Sequence, residues 1–190
     1  MDSEGVEESL DRGFAIGSFE HVVDSWLFPT LEALGEGWAR GEIDVAGEHS
    51  ASHAVHRRLS ASFDAAGNRS AGPSVVVGLP PGSQHELGAL AFATALRRRG
   101  LDVLYLGANV PETSWDAAVS TRSAQAVVLT VVTAADRPGA IATAKRLLAN
   151  HPTLLVTSGG ASGAHLSAGV HTLSSTIATA AKELDLLLQE

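Results

Sequence analysis

The chain has 190 residues, 45% of them hydrophobic, enough to bury one good core or two modest ones. Its formal charge of −8 argues against gripping a phosphate backbone, because that affinity comes mainly from Lys and Arg releasing counterions. With no cysteine, disulfides, thiolate metal sites and cysteine nucleophiles are excluded, so a transition metal would depend on His, carboxylate or a cofactor's own ligands.

In chain order, the first residues, Met-Asp-Ser-Glu-Gly-Val-Glu-Glu, are acidic where a signal peptide would be basic. No apolar run reaches the roughly 20 residues needed to cross a bilayer. The expectation is a cytoplasmic protein without a membrane partner. A short helix is expected over residues 6–14. Val23, Trp26 or Leu27, Leu31, Leu34 and Trp38 then recur at three- and four-residue steps, and Val45, Ser52, Leu59 and Phe63 carry a similar rhythm on the next segment. These segments read as a small helical bundle over residues 1–70. Pro29 should kink the first long helix or mark its early turn. Three helices result where a closed bundle would prefer four.

Ala-Ala-Gly-Asn-Arg-Ser-Ala-Gly-Pro at 65–73 is a cluster of breakers, and we expect a domain boundary there. From 71 to 190, strands and helices alternate, the signature of a parallel sheet covered on both faces. Strands are expected at 74–78, 102–106, 126–132, 153–157 and 169–173. Helices are expected at 85–99, 112–122, 137–150, 162–168 and 175–189. Five such units suit a flavodoxin-like or Rossmann-like doubly wound sheet of order 2-1-3-4-5, so the fold class is a helical bundle followed by an α/β domain. Ligands of such sheets bind beyond the carboxyl ends of the strands, at the point where strand order reverses. Three loops should converge there: residues 79–88, 130–134 and 158–163.

The first of these loops carries His85 in Gly-Ser-Gln-His-Glu-Leu-Gly, where an imidazole could reach a bound cofactor and Gly88 would let something large come close. The second begins Thr130-Val-Val132. The third is Ser-Gly-Gly-Ala-Ser-Gly, whose missing side chains at Gly159 and Gly160 would let a ligand lie against backbone. A glycine-rich turn taken alone is equally well only a turn.

Together these motifs resemble the cobalamin-binding domain shared by methionine synthases, corrinoid carriers and certain mutases, with its Asp-x-His-x-x-Gly, Ser-x-Leu and Gly-Gly signatures. The resemblance implies that His85 is the lower axial ligand of cobalt, replacing the cofactor's own dimethylbenzimidazole. Gly88 is then the close-approach glycine. Thr130 and Val132 match the Ser and Leu of the second signature, and Gly159-Gly160 match the third. Ser83 stands where that family has the Asp that accepts the imidazole proton, so tuning of the ligand would pass through Ser83 or water.

In the helical half, Trp38 is followed after nine residues by Glu48-His49. This spacing, with Gly41-Glu-Ile and Tyr105-Leu-Gly-Ala-Asn-Val-Pro111, resembles the adenosylcobalamin photoreceptors of the CarH and LitR type, and the similarity runs over nearly the whole chain. It implies that the bundle caps the upper face of the corrin, with Trp38, Glu48 and His49 around the adenosyl group. An indole offers a rigid face to adenine or deoxyribose, and a carboxylate accepts hydrogen bonds from ribose hydroxyls. Where those photoreceptors have a His after the Trp, this chain has Ala39. A second imidazole on the upper cobalt site would therefore come from another residue, such as His49, or water would take the site.

Trp38 at helical spacing fits a core position as well as a cofactor lid. His49, His53 and His56 lie at i, i+4 and i+7, share a helix face, and read either as a zinc or nickel site or as a solvated face. His21, His151, His165 and His171 have no supporting context. What the resemblance implies is a light sensor without catalytic turnover. Its cofactor is adenosylcobalamin, its form a homo-oligomer (dimer or tetramer), and its route to DNA a MerR-type winged-helix domain that these residues do not contain. The sequence is then either the sensor portion of a longer regulator or a short form acting by protein contact. The alternative is a corrinoid carrier that moves a methyl group between methyltransferases.

Overall fold

The computed structural model describes residues 3–67 and 71–189 and divides into two compact units, one up to Ala65 and one from Ala66. The boundary expected after residue 70 touches residues 68–70, which lie outside the described residues.

The first unit is helical. Helix α1 covers Ser3–Phe14. A single-turn α2, Phe19–Val22, starts at Ser18, whose hydroxyl accepts the His21 N–H at 3.3 Å. It runs without a break through a π-helical turn, Val23–Leu27, into α3, Phe28–Ala39. Pro29 explains the change of pitch: it sits in the first turn of α3, where a missing N–H is harmless, and the residues ahead of it widen to i→i−5 bonding, with Phe28 N–H on the Val23 carbonyl. Helix α4 spans Val45–Ala65. Leu10, Val22, Val23, Leu27, Ala54, Val55 and Leu59 form the buried core. Phe14 meets Phe19 and, edge-on, Trp26, with the Arg58 guanidinium over its ring. Val45 and Trp38, both on the expected apolar rhythm, are exposed instead, because they flank the α3–α4 turn beyond the reach of that core.

The second unit is a five-stranded parallel sheet in the order β2-β1-β3-β4-β5. Its strands are β1 Ser74–Gly78, β2 Asp102–Tyr105, β3 Ala126–Thr130, β4 Leu155–Gly159 and a two-residue β5, His171–Thr172. Helices α5 Leu87–Arg98, α6 Glu112–Arg122, α7 Arg137–Asn150 and α8 Ile177–Leu187 complete it. β1 and β3 are buried along nearly their whole length, as strands covered on both faces must be. Val76, Val127, Leu129 and Val156 share a core with Trp115 of α6 and with Ala140, Ala144 and Leu147 of α7. Side chains alternate along a strand, so Val75, Val77 and Val128 turn to the opposite face, that of α5 and α8.

The helix expected over residues 162–168 is absent: residues 162–168 form turns and bends. Arg137 takes the carbonyls of Ser162, Ala164 and His165, and Ser162 donates its N–H to Val131, so the groups a helix would need are already committed. His165 also adopts a positive φ of 49°, incompatible with a continuing right-handed turn. β4 begins two residues later than the apolar run starting at 153 implied, after a turn closed by Leu154 N–H on the His151 carbonyl.

Trp115 anchors this unit. It is fully buried, lies against Gly78, and donates its indole N–H to the Val110 carbonyl at 3.3 Å. Replacing it with Ala should lower the unfolding free energy by about 3–5 kcal/mol, read as a shifted urea midpoint.

Candidate cofactor-binding site

The strand order reverses between β1 and β3, so the loops after these strands open side by side at the carboxyl edge. The loop after β1, residues 79–86, is held by the loop after β2. Gly82 N–H donates to Asn109 Oδ1 at 2.7 Å, and Asn109 N–H donates back to the Ser83 carbonyl at 2.9 Å. Leu79 N–H reaches the Gly107 carbonyl and Val110 N–H the Leu79 carbonyl, both at 3.0 Å. Asn109 makes this brace with φ at +52°, a left-handed conformation that Asn tolerates better than most side chains. The Tyr105 hydroxyl donates to Glu86 Oε2 at 2.9 Å and ties the end of the loop to β2. Burial pushes the Tyr105 phenol far above its ordinary pKa, and the Glu86 charge adds to this, so the phenol stays a donor.

On this braced loop, His85 stands two residues before α5, exposed, and its ring enters no hydrogen bond or ion pair among the described residues. Ser83, by contrast, is fully buried, and among the described residues its Oγ finds no partner in hydrogen-bonding geometry. Gly88 lies in the first turn of α5 and is half-buried.

The loop after β3 follows directly. Thr130 is buried at the end of the strand and Val132 is half-buried beyond it. Thr133 and Asp136 form a reciprocal cap, with the Thr133 N–H and hydroxyl both on Asp136 Oδ2 at 2.8 and 2.9 Å. Burial would raise the Asp136 pKa, but the Thr133 backbone and hydroxyl, the Ser83 hydroxyl and the Val132 backbone outweigh it and hold the carboxyl below its ordinary range. Ser83 therefore faces Asp136 closely enough to act on its charge while falling short of a well-formed hydrogen bond. Gly139, in the first turn of α7, fits against the Pro81 carbonyl, where an added Cβ would come within 2.8 Å, so that helix start touches the loop after β1 backbone to backbone.

The glycine-rich loop after β4 shows two kinds of glycine. Gly160 has φ +89°, and a Cβ there would meet the Val131 carbonyl oxygen at 2.6 Å; a Cβ on Gly163 would meet the Gly159 carbonyl at 2.4 Å. These two permit the loop to fold on itself and on β3. A Cβ on Gly159 would meet nothing within 4 Å. Gly159 is thus the position at which backbone is open to a ligand. Arg137 steadies the loop through its three carbonyl bonds, and the Ser162 hydroxyl donates to the Val132 carbonyl at 3.2 Å.

In the helical unit, Trp38 ends α3 and Glu48-His49 open α4. The turn between them is closed by Glu42 and Ile43 N–H groups on the Gly37 carbonyl, by Gly41 at φ +74°, and by Asp44, whose Oδ1 accepts the Gly47 N–H at 2.6 Å. Trp38 is 51% exposed, so it is not a core residue of its unit. Glu48 accepts the Ser52 hydroxyl at 2.6 Å and lies 3.7 Å from the exposed His49 ring. His53 is exposed and the His56 ring approaches Ser60 at 3.4 Å. Among the described residues no group of three or more His, Asp or Glu is placed to hold a metal, which leaves the His49, His53 and His56 face without a metal site. Nor is any described helix long and apolar enough to cross a membrane.

Family models described as a B12 binding domain match residues 73–171 and 1–61. The chain belongs to the B12-binding domain family. A 111-residue stretch is 33% identical to the HTH-type transcriptional repressor CarA of Myxococcus xanthus, and a 112-residue stretch is 36% identical to the repressor CarH of the same organism. Each match takes 58% of this chain but only 37% and 36% of the two relatives, so the chain spans little over a third of their length. Among solved structures, the monomethylamine corrinoid protein of Methanosarcina barkeri superposes with TM-score 0.77 over 97% of this chain and 90% of its own, at 16% identity. A cobalamin-binding protein from Desulfitobacterium hafniense gives TM-score 0.57 over 97% and 92%, at 19% identity. At such identities these likenesses show the shared fold.

The B12-binding loops of this chain fit a corrinoid on two structural grounds: open backbone at Gly159, and a buried hydroxyl at Ser83 left without a partner beside an uncommitted imidazole. Sequence reasoning missed Asn109, Arg137 and Asp136. Only Asn109, in a Gly-Ala-Asn-Val-Pro run, carried a turn signal that could have found it. The two glycines should separate by experiment. Gly160→Ala should lose about 1–3 kcal/mol of stability, whereas Gly159→Ala should leave the melting temperature close to wild type.

Proposed function

We propose that this B12-binding chain is a regulatory sensor for adenosylcobalamin, with no catalytic turnover of its own. The observation that carries the reading is the exposed, unengaged His85 on a loop braced from two sides, in a chain 33–36% identical to transcriptional repressors over its matched region.

In this reading His85 would hold the cobalt through a ring nitrogen. Thr130, Val132, Gly159 and Gly160 line the course of the displaced nucleotide tail, and Gly88 lets the corrin approach α5. Trp38, Glu48 and His49 of the helical unit would hold the adenosyl group, the indole offering it a flat face and the carboxylate accepting from ribose hydroxyls. Bound adenosylcobalamin supplies a light-labile cobalt–carbon bond, and the protein supplies binding and orientation. Trp38 and Glu48 would make their contacts to the adenosyl group only while it is bound, and the sensor reading expects the association of copies as dimer or tetramer to depend on that group. With Ala39 after Trp38, His49 is the nearest imidazole in sequence for the upper site. Control of transcription would require a DNA-binding domain.

The competing reading is a corrinoid carrier, which must open its upper face to partner enzymes and gains nothing from an adenosyl pocket. Mixing the apoprotein with adenosylcobalamin in the dark, then recording visible spectra and size-exclusion profiles before and after green light, separates the two. The sensor predicts a changed spectrum together with a changed elution volume. Transfer of a methyl group from bound methylcobalamin, with no light-dependent change of size, would mark a carrier.

A further inference from the structure

Ser83 presents a physical anomaly. A buried hydroxyl that finds no partner is destabilising relative to a satisfied one, and each such group calls for an explanation. This one is fully buried, two residues ahead of an exposed imidazole, and faces a carboxylate on the neighbouring loop. That carboxylate, Asp136, is buried as well, and both of its hydrogen bonds from Thr133 fall on Oδ2, so acceptor capacity remains on the other oxygen. The loop that carries Ser83 touches, at Pro81, the backbone of Gly139 in the first turn of α7, the helix that begins directly after Asp136.

A histidine that binds a metal donates its other ring N–H to a carboxylate, carbonyl or water, which fixes the tautomer and strengthens the ligand. No carboxylate stands at position 83 to serve His85. We propose that Ser83 and Asp136 together supply it: the Ser83 hydroxyl receives the second N–H of His85 when cobalamin is bound and passes its own proton's hydrogen bond to Asp136. Both are positioning residues. The proposal rests on the reading of His85 as the lower ligand and adds to it a carboxylate drawn from a different loop, 51 residues further along the chain than His85. It also explains why the hydroxyl is kept in a dry place: a serine donates and accepts at once, so it can join an N–H to a carboxylate where alanine could do neither.

The test uses the full chain and adenosylcobalamin in the dark, with visible spectra for ligation, titration for affinity and thermal unfolding of the apoproteins. Ser83→Ala should stay close to wild type in stability, since it removes a hydroxyl that makes no well-formed hydrogen bond in the free protein, yet bind cobalamin about 10–100-fold more weakly with a spectrum shifted towards loss of the lower ligand. Asp136→Asn should weaken ligation in the same direction. The double variant Ser83→Asp with Asp136→Asn, which moves the carboxylate next to His85, should recover the wild-type spectrum. A wild-type spectrum in both single variants overturns the relay, as does a loss of affinity in Ser83→Ala that merely tracks a loss of thermal stability. If the wild-type spectrum depends on His85 but not on Ser83 or Asp136, the relay alone falls. If it does not depend on His85 at all, the ligand reading falls and the relay with it.

Discussion

Two hydrogen bonds between Asn109 and the Gly82–Ser83 backbone fix where the imidazole of His85 can be. A histidine on an unbraced loop would lose side-chain and backbone entropy whenever it ligated, about 1–2 kcal/mol for each backbone residue frozen. Here that ordering is already present: Asn109 grips the loop from one side, Gly139 closes on Pro81 from the other, and Trp115 holds the bracing loop from within the core. The sheet makes this possible, because reversal of strand order between β1 and β3 opens the crevice in which these loops meet.

The glycine-rich loop follows the same logic of rigid support around open backbone. Gly160 and Gly163 are spent on internal closeness, and Arg137 uses both terminal nitrogens of its guanidinium to hold three carbonyls. Only then does Gly159 present an uncovered edge. The helical unit is arranged differently. Its core is aliphatic and aromatic around Phe14 and Trp26, while Trp38 and the Glu48-His49 pair stand on either side of a tight turn outside that core. A large exposed indole is a binding surface more naturally than a packing defect.

The order of the sheet and the loops that meet at its edge were legible in the sequence, because β-branched runs at 74–78 and 126–130 and glycine-bearing turns after them report strand and loop directly. Residues 162–168 were misread as helix because their composition permits one; the Arg137 guanidinium, 25 to 28 residues away in sequence, claims the carbonyls, and no local pattern reports that. The same holds for Asp136, an ordinary cap by its local pattern, whose meeting with Ser83 depends on how two loops fold together. Pro29 signalled a disturbance of the long helix, but not that a π-helical turn ahead of it would absorb the strain. For Trp38 the spacing left a core position and a place outside the core both open, and only the fold decides, because the α3–α4 turn carries the indole out of the core.

The central claim is a bond between a histidine nitrogen and cobalt, and electron paramagnetic resonance of the Co(II) form of bound cobalamin reads it directly. Nitrogen-14 on the axial position splits each cobalt line into a triplet, and nitrogen-15 into a doublet. The account predicts that growing the protein on nitrogen-15 histidine converts triplets to doublets, and that His85→Ala abolishes the conversion. Triplets that persist in the labelled protein would mean that the cofactor keeps its own base, and would contradict the account.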